Sequence, residues 1–183
     1  MRLVIVGTSG SGKTTLARKL SAALGLPQIE LDAINWQAGW HDIATHDPVA
    51  FVRQVGAAAQ GEAWVADGNY TKARAVLWPR ATAFIWMDYE RPVVMRRVLW
   101  RSFSRAVSQR ELWPGTGNRE DFRRWLDREH PIRWAWDHWA LNRRRYGEAF
   151  AGGAYEGRTV HRLAHPRDAD ALVARLTAQA LSI

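Results

Sequence analysis

The chain has 183 residues and a mass of 20.8 kDa, with 47% hydrophobic and 24% charged residues, which fits one soluble globular domain and excludes a wholly disordered chain. It contains no cysteine, so disulfides, thiolate catalysis and cysteine-based zinc sites are excluded. The net charge of +8 is confined to Arg91–Arg145, where 14 arginines stand against 6 acidic residues, while the rest of the chain carries 12 basic and 12 acidic residues.

Arg2–Val6 (RLVIV) is a continuous apolar, β-branched run of the kind buried on both faces of a parallel sheet. It stops at Gly7, too soon for a signal-peptide core or a membrane span, which predicts a cytoplasmic protein with no membrane partner. A glycine-rich loop then leads into a helix whose apolar positions Leu16, Leu20, Ala23 and Leu24 recur at helical spacing until Gly25-Leu26-Pro27 ends it. Gln28–Leu31 reads as a short strand, followed by an irregular stretch through His46. Asp47-Pro48 has the form of an N-cap followed by proline at the first helical position, opening a helix to about Gln60. Ala63–Ala66 reads as a strand ending at Asp67-Gly68, Thr71–Trp78 as a short helix closed by Pro79, and Thr82–Met87 as a further strand. Helix resumes near Pro92 and runs to about Ser108. Arg110–Asn118 (RELWPGTGN) is a loop, and Arg119–Tyr146 reads as mostly helical despite Pro131. Arg158–Leu163 is a final strand and Asp168–Leu181 a final amphipathic helix. Strands alternating with helices predict one α/β domain over 1–183, a three-layer P-loop NTPase sandwich with a five-stranded, mostly parallel sheet and an arginine-rich helical lid at about 105–128.

Gly7-Thr8-Ser9-Gly10-Ser11-Gly12-Lys13-Thr14 fits the pattern G-x-x-x-x-G-K-[ST] in full. Glycines admit positive φ and close approach of a ligand, so that successive N–H groups point inward as an anion-binding nest. The following helix adds its N-terminal partial positive charge, and it begins with Thr14 and Thr15. Lys13 reaches the β- and γ-phosphates of a nucleotide, and the Thr14 hydroxyl is offered to Mg²⁺. ATP and Mg²⁺ are therefore the expected ligands. The guanine-reading N-K-x-D and the D-x-x-G switch of GTPases are both absent.

The combined pattern resembles the adenylate-kinase-like nucleoside and nucleotide kinases, and is most similar to the small bacterial topology modulation proteins, or FlaR-like kinases. The resemblance is carried by GTSGSGKTTLARKL, LGLPQIELDAINWQAGW, WVADGNY, FIWMDYERP with the arginine-rich helix after it, and VHRLAHPRDADAL, which together span nearly the whole chain. It implies that Asp67 holds Mg²⁺ through water. It also implies that Asp32, at the end of the second strand, binds the acceptor, and a carboxylate there can take a hydroxyl proton as general base. Arg97 and Arg101 share a helix face with Arg105. By the resemblance, one of the first two stacks on the adenine and the other clamps phosphate, which makes Arg101 a catalytic candidate beside Lys13, Asp32 and Asp67. One or two of Arg119, Arg123, Arg124 and Arg128 are expected to close over the transferring phosphoryl group, with 110–118 as the moving lid. His165-Pro166 is expected to wrap the adenine.

Where adenylate kinases have DGFPR, this chain has Asp67-Gly68-Asn69-Tyr70, and their Thr-Gly-x-x-x-Arg segment is replaced by Asp32-Ala33-Ile34-Asn35-Trp36. The arginines that grip AMP are missing from their places, leaving Arg74 as a substitute. The donor side is thus kept and the acceptor side is different. Asn69 and Tyr70 are candidate polar contacts to the acceptor, and Trp36 and Trp40 candidate walls of its pocket. Of the other tryptophans, Trp64, Trp86 and Trp100 are expected in the core, with Trp134, Trp136 and Trp139 packing the long helix down. The expected activity is transfer of the γ-phosphate of Mg-ATP to a small-molecule or nucleotide acceptor by a monomer or homodimer. The rival readings are a non-catalytic nucleotide sensor and an ATP-switched nucleic-acid-binding protein, whose affinity would fall steeply with salt.

Overall fold

A computed structural model describes residues 1–152 and 157–181. In chain order the elements are β1 (Arg2–Gly7), α1 (Lys13–Leu24), β2 (Gln28–Glu30), α2 (Leu31–Asn35), β3 (Trp36–Gln37), β4 (His41–Asp42), α3 (Ile43–His46), α4 (Pro48–Ala58), β5 (Trp64–Asp67), α5 (Thr71–Leu77), β6 (Ala83–Met87), α6 (Arg91–Ser108), α7 (Pro131–Ala151), β7 (Thr159–Leu163) and α8 (Pro166–Leu181). The main sheet has the order β2-β5-β1-β6-β7, and every neighbouring pair is parallel. Alternate residues of β1 feed opposite sides. Leu3 and Ile5 pack with Leu16 and Leu20 of α1, Val98 of α6 and Leu172 of α8. Val4 and Val6 pack with Phe51 of α4, Leu77 of α5 and Tyr146 of α7. The centre of the sheet is covered on both faces, which is why β1, β5 and β6 read as apolar runs rather than alternating ones.

The chain leaves β1 between β5 on one side and β6 on the other, so the loop after β1 opens into the crevice at the carboxyl ends of the strands. The register brings Asp67 level with Ile5 and Glu30, and Gly7 level with Met87. Among the described residues, no helix is long and apolar enough to cross a membrane.

Three expectations need correction. The stretch 31–46 is ordered into α2, a β3–β4 hairpin and α3, held together by buried Asn35, whose Oδ1 accepts the Ala44 N–H at 2.9 Å. Residues 119–130 form no long helix. They carry one 3₁₀ turn at Phe122–Arg124, and α7 starts at Pro131 itself. Proline lacks the N–H and pushes its predecessor out of the α region, and His130 accordingly lies at φ −66°, ψ 138° and caps the helix by accepting the Ile132 N–H. Trp100 is exposed, because α6 buries Val94, Val98, Ser102 and Ala106 at i, i+4 spacing and Trp100 falls on another face. Trp134 and Trp136 are likewise exposed, and only half-buried Trp139 packs inward, donating to the Tyr89 carbonyl at 3.0 Å.

Candidate active site

The loop after β1 borders a concavity lined by Ser9, Gly10, Gly12 and Lys13. Gly12 is the N-cap of α1 at φ 102°, ψ 23°, which turns the preceding N–H groups toward the axis of the helix. Gly10, at φ 85°, has a second constraint. A Cβ there would stand 2.7 Å from that of Val98, so the loop can seat itself on α6 only without a side chain. The Lys13 ammonium folds back over the loop, donating to the Gly7 carbonyl at 2.9 Å and the Thr8 carbonyl at 3.2 Å. Burial pulls its pKa down, while the carboxylates of Asp32 and Asp67 pull the other way.

Beside the loop, the Thr14 hydroxyl donates to Asp67 Oδ2 at 2.6 Å and the Gln28 amide to Oδ1 at 3.1 Å. Asp67 is 3% exposed. Burial raises its pKa to about 6, against the two hydrogen bonds that favour the charged form. These oxygen donors fit a hard divalent cation bound by one hydroxyl and by water held on a carboxylate.

The cleft over the loop has a volume of about 370 Å³ and is lined by Ser9, Gly10, Gly12, Lys13, Thr14, Thr15, Asp32, Arg97, Arg101 and Arg105, among others. At its far end stand Tyr89, Pro166 and Ala169. Arg97 faces this cleft and also braces the loop from behind, donating to the Ser11 carbonyl at 2.8 Å. Ser11 itself is fully buried. His165 is turned into its own helix start, where Nδ1 accepts the Arg167 N–H and its backbone N–H donates to Asp168. Its neighbour Pro166, not the imidazole, forms the cleft wall.

A second cavity of about 160 Å³ adjoins the first, and the two share Ser9, Thr14, Asp32, Arg101 and Arg105. Its apolar wall consists of Trp36, Trp40 and Trp113, whose ring centroids lie 5.7–6.5 Å apart. Arg124 lies over Trp40, 5.5 Å from the ring centroid. Trp40 sits in the left-handed region at φ 60°, a conformation costly for a large side chain. It is held there by Asn118, which accepts the Trp40 N–H and donates to the Gln37 carbonyl, both at 2.9 Å. Trp113 reaches across to Glu30, donating at 3.3 Å. Segment 110–130 therefore stands over the second cavity, and none of its residues lines the first. The polar end holds Asp32, Glu30 and the buried Glu120–His130 pair at 2.7 Å. Burial would lift the Glu120 carboxyl, but the His130 hydrogen bond and the charges of His130 and Arg101 outweigh it and hold its pKa low.

Arg101 faces both cavities, and its buried Nε has no hydrogen-bond partner among the described residues. Burial, with Arg105 close by, lowers its pKa to about 10. Such a guanidinium is placed to receive an anion that the protein does not itself supply.

Asn69 and Tyr70 line neither cavity. Asn69 Nδ2 donates to the Gly7 carbonyl at 2.6 Å, and its Oδ1 accepts from Gly7 N and from the Tyr146 hydroxyl. The Tyr70 hydroxyl donates to Asp32 Oδ1 at 2.8 Å, and burial drives its pKa far up, so it stays a phenol. Arg74 lies over the rings of Trp78 and Tyr146, away from both cavities. Gln28, Trp113 and Asn118 escaped the sequence reading because each acts through a partner distant in sequence. A tryptophan beside Pro114-Gly115 in a polar loop was the one available signal.

Sheet order, the glycine-rich loop after β1 and the flanking helices define the α/β P-loop kinase fold. No protein-family model matches the chain, and no curated protein sequence matches it. Solved structures do. A shikimate kinase from Acinetobacter baumannii in complex with shikimate superposes with a TM-score of 0.57 at 18% identity, covering 99% of this chain and 93% of that one. A sugar kinase from Janibacter sp. gives 0.51 at 20% identity, covering 97% and 92%. A shikimate kinase from Bacteroides thetaiotaomicron gives 0.52 at 15% identity, covering 100% and 99%. At these identities the likeness establishes the fold.

Proposed function

We propose that this protein is an Mg-ATP-dependent phosphotransferase that acts on a small acceptor held between Asp32 and the Trp36–Trp40–Trp113 wall. One observation carries the reading. The nucleotide-sized cleft and the indole-lined cavity meet at Thr14, Asp32, Arg101 and Arg105, a common wall across which a phosphoryl group can pass. The similar solved structures, named as shikimate and sugar kinases, support a small-molecule acceptor. The motif resemblance to topology modulation proteins belongs to the same proposal.

In this mechanism the loop amides and Lys13 bind the triphosphate, with Lys13 exchanging the Gly7 and Thr8 carbonyls for phosphate oxygens. Thr14 and Asp67 would be the residues that hold Mg²⁺. When bound there, the ion would supply positive charge that offsets the charge of the polyphosphate. Asp32, fixed through one oxygen by Tyr70, takes the acceptor hydroxyl proton with the other. The acceptor oxygen bonds the γ-phosphorus as its bond to the β–γ bridging oxygen breaks, leaving ADP. Arg101 and Arg105 stabilise the charge on the transferring oxygens, an effect strengthened where water is excluded.

The test is ATP consumption against a panel of polyols, sugars, nucleosides, nucleotides and oligonucleotides, with Lys13→Ala as control. Turnover stimulated by a small acceptor and abolished in the variant is expected. ATP binding without stimulated turnover on any acceptor would overturn the reading in favour of a nucleotide sensor.

A further inference from the structure

We propose that the outer face of α6, with the 3₁₀ segment beside it, docks on an anionic phospholipid surface. The observation is independent of the phosphotransfer reading. Trp100, Phe103 and Val107 follow i, i+3, i+7 along one stripe of α6, with Trp100 69% and Val107 63% exposed. Phe103 meets Phe122 edge-on, with centroids 6.2 Å apart, and Phe122 leads to Leu126, which is 88% exposed. Two segments thus build one continuous apolar face. With Phe103 and Phe122 each 47% exposed, the face leaves several hundred Å² bare, within the range of the largest patches on soluble monomers.

The rim determines what covers this face. Exposed Arg96 and Arg110 stand at the two ends of the stripe, and Arg123 and Arg128 flank the 3₁₀ segment. None of the four is in an ion pair among the described residues. Outside the cleft, the six exposed arginines of this region, Arg96, Arg110, Arg119, Arg123, Arg124 and Arg128, still outnumber its four exposed carboxylates, Glu111, Asp121, Asp127 and Glu129. Asp121 caps the Arg123 N–H, Asp127 pairs with Arg124, and Glu111 accepts the Gly117 N–H. Two copies of the face would bring like charges together, so the partner is anionic. Trp100 and Phe103 are stacked on each other at 6.0 Å, and Val107 and Leu126 have no ring. That composition suits insertion at the headgroup–acyl boundary better than the stacking of nucleobases. Arginine stems can lie along the apolar face while their guanidiniums reach phosphate headgroups. Arg97, Arg101 and Arg105, on another side of the same helix, stay in the cleft.

Cosedimentation of the full chain with vesicles of phosphatidylcholine alone, or mixed with phosphatidylglycerol, tests the proposal. Partition is expected to be about tenfold or more stronger on the anionic vesicles and to weaken with salt. Trp100→Ser/Leu126→Ser is expected to lose about tenfold or more of that partition. Arg96→Gln/Arg110→Gln should abolish the preference for anionic vesicles. Both variants should keep the circular dichroism and Mg-ATP affinity of the parent. The proposal is overturned if the parent ignores both vesicles or if the variants bind like the parent. It is also overturned if the parent is a dimer that Trp100→Ser dissociates, or if an oligonucleotide competes the vesicles away.

Discussion

The Thr14 hydroxyl donates to Asp67 Oδ2 at 2.6 Å, which joins the end of the nucleotide loop to the end of the neighbouring strand. Both residues are assigned to Mg²⁺ in the proposed mechanism, and this hydrogen bond holds their oxygens side by side. The carboxylate is buried and its pKa lies at about 6, above its ordinary value of 3.8. A raised carboxylate binds its proton more tightly folded than unfolded, so its contribution to stability is greatest at low pH and is lost as pH rises from about 4 through about 6. Asp67→Asn removes that burden at neutral pH. We expect a gain of about 2 kcal/mol, seen as a rise in Tm of roughly 4–8 °C in the absence of nucleotide, together with loss of Mg²⁺-dependent ATP binding. An unchanged or lower Tm would count against the assigned burial cost. In the parent, Mg-ATP affinity should fall as pH drops below about 6, which titration calorimetry across that range reads directly.

Arg101→Met should leave ATP affinity within a few fold and lower acceptor-stimulated turnover about 10²–10³-fold, the range for removing a donor that acts on developing charge. Its folded stability should not fall, because a buried guanidinium whose Nε has no partner among the described residues goes with it. A rise in KM for ATP with kcat intact would assign Arg101 to ground-state binding.

Tyr70→Phe removes the one hydroxyl that fixes Asp32 while keeping the ring packed against Phe51, 5.1 Å away. Turnover should drop about tenfold with Mg-ATP binding unchanged, as for a positioning residue one step from the chemistry. Equal loss of ATP affinity would place Tyr70 on the donor side.

Asn118→Ala opens the clasp between 110–118 and the β3–β4 hairpin, leaving the Trp40 N–H and Gln37 carbonyl without their partner. The buried amide and the strained Trp40 backbone together predict a loss of about 2 kcal/mol in thermal unfolding. ATP affinity should hold, since the clasp lies over the second cavity.

The centre of the sheet was legible because β1, β5 and β6 are apolar runs, whereas edge strands β2 (QIE) and β7 (TVHRL) are mixed in polarity. The glycine-rich loop was legible because its spacing follows a phosphate-binding pattern. The second cavity was legible only in part. Asp32, Trp36 and Trp40 do line one cavity, but Asn69 and Tyr70, read as lining residues, face Gly7 and Asp32. A residue name fixes what a side chain can bond, and only the fold fixes what stands within its reach. The same limit applies to the arginines. In sequence they look alike, yet Arg143 and Arg162 are spent on buried Asp88, whereas Arg101 has its Nε unpaired among the described residues. Pro131 was visible, but its power to start a helix rather than interrupt one depended on His130 being free to cap it.

Calorimetric titration of the purified protein with Mg-ATP tests the central claim most directly. The account predicts saturable one-to-one binding that Lys13→Ala weakens by about 10²-fold or more, because a charge-assisted contact to two phosphates is lost in a partly buried site. Heat-silent titration with every nucleoside triphosphate, or binding untouched by Lys13→Ala, would contradict it.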